Sequence, residues 1–553
     1  MSEAGGVRRP PSGGAVIGLT VVLAGYLLGA TWLCYRGGMA VGNDQTSYLY
    51  LASELAAGRL ATSFSGQWSP LITWLIAAGI TVGADPVQAL YLWGIVGGAA
   101  WVVGAWCLTG RYGLGVGART VLAVAVALWA ACFAAHGSAA DLLLAASLSW
   151  YMVAATAPRL ALQARYGVAV GLVAALAYFA KAYALPFVLV HYPLSCVLRA
   201  RLERPAEGVT QRRYLHAWVL GTAVMVLVAA PWIAVLSARY GRLTVSTVPY
   251  STWRQYEVGT DEGRWYQRGL HAPAPGVLSV WVDPAAYEQA HPDETPVRLT
   301  WAKRVRFFAG NVLELRDKVV RRLDVAGLVP AALCLVVVVV AGRLRPPPKG
   351  GLEWPAWTLL TFVAYVSGYL LTGVPVERYY LPAWMLLLIN ALAMAHWGQR
   401  LLAGHSRMAG RLLGLLVAGS LIVGGLNVVA DQARHRGPGT EQALGRQLQA
   451  LSAAAPLAVA AHGYTSSGRE TWSTGLAIAY WAGLQYLGVP NATEPQPVAA
   501  KLEAAGVRTF LVRPEDPAVR YLAGRAKWHR AGQIAAAGQG GQPIRYEVLI
   551  CTP

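Results

Sequence analysis

Long apolar segments separated by short basic loops dominate the chain as far as Val429. A helix that crosses a membrane needs about 20 predominantly apolar residues, and most of these segments approach or exceed that length. Arg and Lys gather in the loops at one end of the segments, as they do in cytoplasmic loops. The pattern predicts an α-helical polytopic membrane protein of the inner or plasma membrane, with its N-terminus in the cytoplasm. Eleven spans are predicted: Ala15–Tyr35, Val87–Thr109, Thr120–His136, Ala139–Ala157, Val168–Ala180, Tyr183–Leu198, Trp218–Ala238, Val325–Ala341, Trp354–Thr372, Tyr380–Trp397 and Leu412–Val429.

One further apolar segment, Ser69–Val82, is too short to cross and is predicted to form an interfacial or re-entrant helix. The first span also leaves an alternative open, because Arg8 and Arg9 precede it as basic residues precede the apolar core of a signal peptide. Cleavage near Ala40 would then remove the span. The length of Ala15–Tyr35 favours a retained helix.

The chain after the last span has a different pattern. Short apolar runs in "PLAVAAHG", "RTFLVRP" and "YEVLICT" predict strands, and "TWSTGLAIAYWAGLQYLG" and "PVAAKLEAAGV" predict helices between them. We therefore expect two domains. Residues 1–436 form the membrane domain, with outer loops 36–86 and 239–324, and residues 437–553 form a small α/β domain outside the cell membrane.

Composition supports the membrane assignment. Hydrophobic residues make up 56% of the chain and charged residues 13%, whereas soluble domains carry about 25% charged residues. The net charge of +19 lies mostly in loops between apolar segments. This distribution favours membrane lipids over nucleic acid as partners. The six cysteines show no spacing typical of a disulfide framework or a zinc site.

Four ionisable residues fall at the predicted outer face. They are Asp44 in "VGNDQTSYLY", Asp141 in "HGSAADLLLAA", Lys181 in "AYFAKAYALPF" and Arg378 in "GVPVERYYLPAW". Each has an ordinary explanation when taken alone: an acid at a helix start, a lysine that reaches the interface, and an arginine paired with its neighbour Glu377. Their occurrence together on one face favours a functional site.

The residue types indicate the chemistry. Two carboxylates suit a general base or a divalent metal ion, so Asp44 and Asp141 are candidates for both. Lys181 and Arg378 suit an anionic phosphate, because Arg matches phosphate oxygens and Lys supplies a point charge. Flanking residues provide a candidate substrate pocket, although tyrosines also anchor helices at the membrane interface. These pocket candidates are Tyr48, Tyr183, Glu377 and Tyr379.

The ordered set of motifs resembles the GT-C superfamily of integral-membrane glycosyltransferases, especially bacterial protein O-mannosyltransferases and lipid A aminoarabinose transferases. The resemblance covers roughly Ala15–Trp397 and rests on the four motifs above together with "WSPLITWL". It implies a GT-C fold and an inverting transfer of sugar from a polyprenyl-phosphate donor to a glycan, lipid or protein acceptor. The transfer would take place at the outer face of the membrane.

The resemblance also implies roles for the four residues. Asp44 corresponds to the catalytic carboxylate, Asp141 to a second acid that assists the acceptor or a metal, and Lys181 and Arg378 to the groups that neutralise the donor phosphate. Many relatives carry two adjacent acids where this chain has Asp44 and Gln45. This departure leaves the dependence on a divalent metal ion open.

Two other classes remain as alternatives. An O-antigen ligase or polymerase-type enzyme also has many spans and a large outer loop. A lipid-linked sugar flippase or transporter is a further possibility, but transporters place ionisable groups in mid-span and often have repeated halves. The charges of this chain gather at one face, and no repeat is evident. The pattern therefore favours the enzyme.

Overall fold

The computed structural model describes most of the chain. The described residues are 13–36, 39, 41–202, 211–249, 269–291, 300–302, 304–316, 353–372, 376–403, 408, 415, 418–419, 422–423, 425–427, 429–430, 440–451, 457–458, 468–490, 492, 494–537 and 543–552. The predicted span Val325–Ala341 lies outside these residues, as does most of the predicted span Leu412–Val429.

Helices are the main elements among the described residues up to position 249. They are α1 (Gly13–Arg36), α2 (Asn43–Ala56), α3 (Leu60–Ser63), α4 (Pro70–Thr81), α5 (Pro86–Arg111), α6 (Val116–Ala135), α7 (Ala139–Ala155), α8 (Ala164–Ala180), α9 (Ala184–Leu202) and α10 (Gln211–Tyr240). After them come α11 (Pro284–Ala290), α12 (Glu353–Thr372), a 3-10 turn (Glu377–Tyr380) and α13 (Leu381–Ala403).

Five helical stretches among the described residues are long and apolar enough to cross a membrane: Gly13–Arg36, Pro86–Arg111, Val116–Ala135, Gln211–Tyr240 and Arg378–His396. The helices α7 and α8 are apolar but shorter. A mostly helical membrane protein is therefore confirmed, and the count of eleven spans stays a prediction.

Glycines allow two helix pairs to approach closely. A Cβ atom added at Gly97 of α5 would lie 3.2 Å from the backbone nitrogen of Leu143 in α7. One added at Gly221 of α10 would lie 2.9 Å from the carbonyl oxygen of Gly167 in α8. In lipid, helices do not associate through the hydrophobic effect, so close van der Waals packing must hold them together. Small residues allow the two backbones to come close enough for this packing.

The short apolar segment forms a helix as predicted. Its 12 residues in α4 extend about 18 Å, well short of a bilayer core of about 30 Å. The helix packs beside α2, and the aromatic rings of Trp74 and Phe179 bring it against α8. A helix of this length suits an interfacial or re-entrant position.

The last part of the chain combines a sheet with helices. Strands β2 (Leu457–Ala458), β4 (Thr509–Val512), β5 (Trp528–Ala537) and β6 (Pro543–Cys551) form one sheet in the order β2-β4-β6-β5. The pair β2–β4 is parallel and the other pairs are antiparallel. The helices are α14 (Thr440–Leu451), α15 (Gly468–Ala482), α16 (Pro495–Ala504) and α17 (Pro517–Ala523). Three of these strands coincide with predicted ones, whereas β5 was not predicted, and the domain division stays a prediction.

This α/β region is joined to the segment that precedes α11. Strand β1 (Gly269–Leu270) pairs with β3 (Gly488–Val489) in antiparallel register. The backbone nitrogen of His271 donates to the carbonyl of Leu487 at 2.7 Å, and that of Tyr486 donates to Leu278 at 2.7 Å. The sequence after residue 440 therefore contacts the long loop between α10 and α12.

Candidate active site

Four separate parts of the chain supply the ionic residues of the site. Asp44 lies in the first turn of α2, and Asp141 lies in the first turn of α7. Lys181 ends α8 in an extended backbone conformation, with φ −155° and ψ 127°. Arg378 lies in the 3-10 turn before α13. Helix starts and helix junctions thus place all four side chains at one end of the bundle.

Hydrogen bonds between these parts fix their relative positions. The amide nitrogen of Gln45 in α2 donates to the carbonyl of His136, in the turn before α7, at 2.9 Å. The backbone nitrogen of Ala182 donates to the hydroxyl of Ser69, which precedes α4, at 3.1 Å. These bonds tie α2 to α7 and the Lys181 junction to α4.

The four ionic side chains form one cluster. Nη2 of Arg378 donates to a carboxylate oxygen of Asp44, 334 positions away in the sequence. Nζ of Lys181 donates to the carboxylate of Asp141. Arg378 also touches Asp141, with 3.5 Å between Nε and Oδ2. Two positive and two negative charges therefore balance within a single network.

A position at a helix start explains these two acids only in part. The residue before the first turn of α2 is Gly42, so Asp44 is not the N-cap. Asp141 follows the N-cap Ser138 by three positions. Both carboxylates still lie where the helix dipole favours an anion. Each of them is also the partner of a cation from another part of the chain.

The cations have partners as well. Lys181 is paired with Asp141, so contact with the membrane interface alone does not explain its position. Arg378 pairs with Asp44 and Asp141. The side chain of Glu377, a predicted pocket residue, lies outside the part of the chain that the structure describes.

The two acids differ in their surroundings. The side chain of Asp141 is 5% exposed and contacts two cations. The side chain of Asp44 is 19% exposed and contacts one cation, Arg378. Asp44 is thus the more accessible and less neutralised carboxylate. Asp141 is placed to hold the two cations together.

A stack of tyrosines supports the cluster from one side. Nζ of Lys181 lies 3.7 Å from the ring centroid of Tyr379, a cation–π contact. Tyr379 stacks on Tyr369 at 5.3 Å, and Tyr369 stacks on Tyr183 at 3.7 Å. The hydroxyl of Tyr365 donates to the carbonyl of Tyr379 at 2.7 Å. The predicted pocket residues Tyr183 and Tyr379 therefore come together through Tyr369.

Tyr365 and Tyr369 were missed by the sequence analysis. They are four residues apart on the predicted span Trp354–Thr372, so one helix face carries both rings. This i, i+4 pair is the signal from which they could have been found.

Tyr48 and a group of tryptophans line the other side. Tyr48 is buried and meets Trp68 edge to face at 5.2 Å, and Trp68 meets Trp281 at 5.3 Å. Burial raises the pKa of Tyr48 well above its usual value, and the nearby carboxylates of Asp141 and Asp44 raise it further. The phenol therefore keeps its proton at neutral pH.

The ionic cluster fits a divalent cation poorly. Asp44 and Asp141 are both already paired with protein cations, and an added ion would bring two more positive charges beside Lys181 and Arg378. Calcium takes about six to eight oxygen ligands, and magnesium is commonly held by one or two carboxylates together with waters and phosphates. Within the described ranges, no group of three His, Cys, Asp or Glu residues comes together.

The fold is similar to that of the solved structures of ArnT and AftD, which agrees with the GT-C fold expected from the ordered motifs. Among solved structures, the chain is similar to ArnT from Cupriavidus metallidurans bound to undecaprenyl phosphate, with 16% identity, 98% of each chain covered and a TM-score of 0.53. The apo state of that protein gives 16% identity, 97% of this chain and 98% of that chain covered, and a TM-score of 0.52.

The chain is also similar to the mycobacterial arabinofuranosyltransferase AftD, in its R1389S mutant form. The identity is 14% and the TM-score 0.54, and the match covers 96% of this chain and 41% of that one. No protein-family model matches the chain, and a search of curated proteins found no match. At these identities the likeness shows the fold, and activity has to be argued from the site.

Proposed function

We propose that this protein is an inverting glycosyltransferase that moves a sugar from a polyprenyl-phosphate donor to an acceptor at the outer face of the membrane. The observation that carries the proposal is the convergence of Asp44, Asp141, Lys181 and Arg378 in one cluster at the bundle end. The fold shared with ArnT, solved with undecaprenyl phosphate, supports a lipid-linked donor.

The two cations take the donor phosphate. Nε of Arg378 lies 3.5 Å from Oδ2 of Asp141 and makes no hydrogen bond within the described residues, so the protein does not fully satisfy the guanidinium. Lys181 rests on the ring of Tyr379, which holds the ammonium in place while leaving its other N–H groups available. Arg and Lys together thus present fixed positive charge to a lipid phosphate.

The reaction then follows from where charge develops. The acceptor hydroxyl attacks the anomeric carbon while the bond from that carbon to the phosphate oxygen breaks, and the polyprenyl phosphate leaves with an extra negative charge. Arg378 and Lys181 stabilise this developing charge more than the ground state, which lowers the barrier. Attack from the face opposite the phosphate inverts the anomeric centre.

Asp44 accepts the proton of the attacking hydroxyl. It is the more exposed acid, and within the described part of the chain its cationic partner is Arg378. When the donor phosphate engages Arg378, the guanidinium is shared between the phosphate and this carboxylate. Asp141 keeps Lys181 and Arg378 aligned throughout. Tyr48, protonated and close to both acids, donates a hydrogen bond to the substrate, and Tyr183 and Tyr379 form the pocket wall.

Transfer of a radiolabelled sugar tests the proposal. Purified membranes containing the wild type or Asp44→Asn are supplied with a panel of polyprenyl-phosphate monosaccharides and with extracted glycan, lipid and protein acceptors. Loss of a general base lowers transfer about 100- to 10,000-fold. Asp85→Asn is the matched control, because Asp85 is an exposed acid that caps α5 through the backbone nitrogens of Val87 and Gln88.

The outcomes separate the classes of protein. Transfer that is lost in Asp44→Asn and kept in Asp85→Asn supports the proposal. Transfer that survives in Asp44→Asn contradicts the assigned base. Absence of transfer from every donor in the wild type contradicts the proposed reaction and returns attention to a ligase or a lipid-linked sugar flippase.

A further inference from the structure

We propose that Trp281 is a positioning residue of this site, which holds the backbone of α2 so that Asp44 keeps its place when Arg378 turns to the donor. The inference rests on the proposed function. The indole Nε1 of Trp281 donates to the carbonyl oxygen of Asn43 at 3.3 Å, and Asn43 directly precedes Asp44. Trp281 is 2% exposed, so its ring has little freedom to move.

The ring of Trp281 is packed on both sides. It meets Trp68 edge to face at 5.3 Å and Trp472 edge to face at 5.5 Å. Trp68 in turn meets Tyr48, one helical turn after Asp44 in α2. Trp472 belongs to α15, in the region after residue 440. A row of four aromatic rings therefore connects α2 to the α/β region, with Trp281 inside the row.

The backbone beside Trp281 is fixed by polar contacts. The hydroxyl of Ser65 donates to the carbonyl of Val282 at 2.7 Å. The carboxylate of Asp283 accepts from Nε and Nη2 of Arg239 at 3.0 and 2.7 Å, and from the hydroxyl of Tyr240 at 2.9 Å. Asp283 also caps α11. These hydrogen bonds join the segment that contains Trp281 to the end of α10, so the backbone of this segment is held in place.

The start of α2 needs such support. Its N-cap, Gly42, provides no side-chain hydrogen bond to the helix. Asp44 is held from the far side by its ion pair with Arg378, but that pair weakens when Arg378 binds phosphate. The Trp281 hydrogen bond acts on the backbone and does not depend on the ion pair. It therefore keeps Asp44 aligned at the moment when the acid accepts a proton.

Trp281→Phe tests this role, because phenylalanine keeps an aromatic ring and removes the indole N–H. Trp150→Phe is the matched control. Nε1 of Trp150 also donates to a backbone carbonyl, that of Ala100, at 3.1 Å. Trp150 lies nine positions after Asp141 on α7, about 13 Å further along the helix. Both variants therefore lose one hydrogen bond from an indole N–H to a backbone carbonyl, near the site for the buried Trp281 and away from it for the more exposed Trp150.

Two measurements are made on the full-length protein in lipid nanodiscs. Hydrogen exchange of the peptide that spans α2 is expected to be faster in Trp281→Phe and unchanged in Trp150→Phe. For sugar transfer, we expect kcat of Trp281→Phe to fall about 3- to 10-fold, the effect of one hydrogen bond, with the donor KM within about twofold.

The outcomes distinguish the inference from the proposed function. Unchanged exchange in α2, or equal effects of both variants on kcat, overturns the positioning role. A loss of kcat that matches a loss of folded protein also overturns it. If the wild type transfers no sugar while α2 exchanges faster only in Trp281→Phe, the proposed function fails and the hold of Trp281 on α2 stands.

Discussion

Asp141 is expected to contribute more to the free energy of unfolding than Asp44, because its side chain is more buried and contacts two cations. Asp141→Asn leaves Lys181 and Arg378 together with a single carboxylate. Removing one partner of a buried ion pair costs about 3–5 kcal/mol. Tyr379 under Lys181 and the remaining Asp44 contact compensate part of this cost. We therefore expect Asp141→Asn to lower the free energy of unfolding by about 2–3 kcal/mol.

Asp44→Asn is the internal comparison. Its carboxylate is 19% exposed and has one cationic partner, and Arg378 keeps Asp141 when Asp44 is lost. Solvent screening reduces the value of such a pair, so a loss of about 1 kcal/mol is expected. The order reverses for transfer, where the loss of the base in Asp44→Asn is the larger effect.

A double variant tests whether Lys181 and Asp141 stabilise the protein as a pair. Lys181→Gln combined with Asp141→Asn removes both members of the pair and leaves no unpaired charge between them. We compare the thermal midpoints of four proteins in nanodiscs: the wild type, the two single variants and the double variant. This double-mutant cycle measures how strongly Lys181 and Asp141 interact. We expect the double variant to be more stable than the sum of the single losses. Additive losses, or an Asp141→Asn variant as stable as the wild type, would refute the assigned role.

Two more predictions concern the surroundings of the cluster. Tyr379→Leu removes the ring under the ammonium of Lys181 and should raise the donor KM about tenfold. Tyr379→Phe keeps the ring and should leave the donor KM unchanged. Equal KM values for the two variants would contradict the cation–π role. On α2, the hydrogen bond from Arg59 lowers the pKa of Glu54. The ionised pair therefore stabilises the folded protein above about pH 4.3, the usual pKa of Glu. This stabilisation is lost as the pH falls through the lower pKa of the folded state. The thermal midpoint of Glu54→Gln should therefore lie below that of the wild type at pH 7, and the gap should narrow as the pH falls below about 4.3. A gap that does not narrow in acid would show that packing is responsible.

Much of the helical framework follows from the sequence alone. Apolar segments must form helices in lipid because no water is present to satisfy their backbone groups, so length and hydropathy were sufficient to place α5, α6 and α10. The position of charges at segment ends also identified Asp44, Asp141, Lys181 and Arg378 as candidates. These inferences needed only the order of residues along the chain.

Two other features could not be predicted from the local sequence pattern. Strand β5 has Gly532 at a register shift and a run of alanines, so it lacks the alternation that predicts a strand. The hydrogen bond between Trp281 and Asn43 was also not predictable, because tryptophan is common in this chain and the two residues lie 238 positions apart. Sequence spacing carries no information about such distant contacts.

The order of residues along the chain is enough to predict a helical membrane protein and to place the ionisable residues near helix ends. The pairing of Arg378 with Asp44 and of Lys181 with Asp141, and the greater burial of Asp141, follow from the packing of distant segments. The difference arises from the range of the forces involved. Helix formation depends on neighbours within a few turns, whereas the charge and burial of a side chain depend on every segment that packs against it.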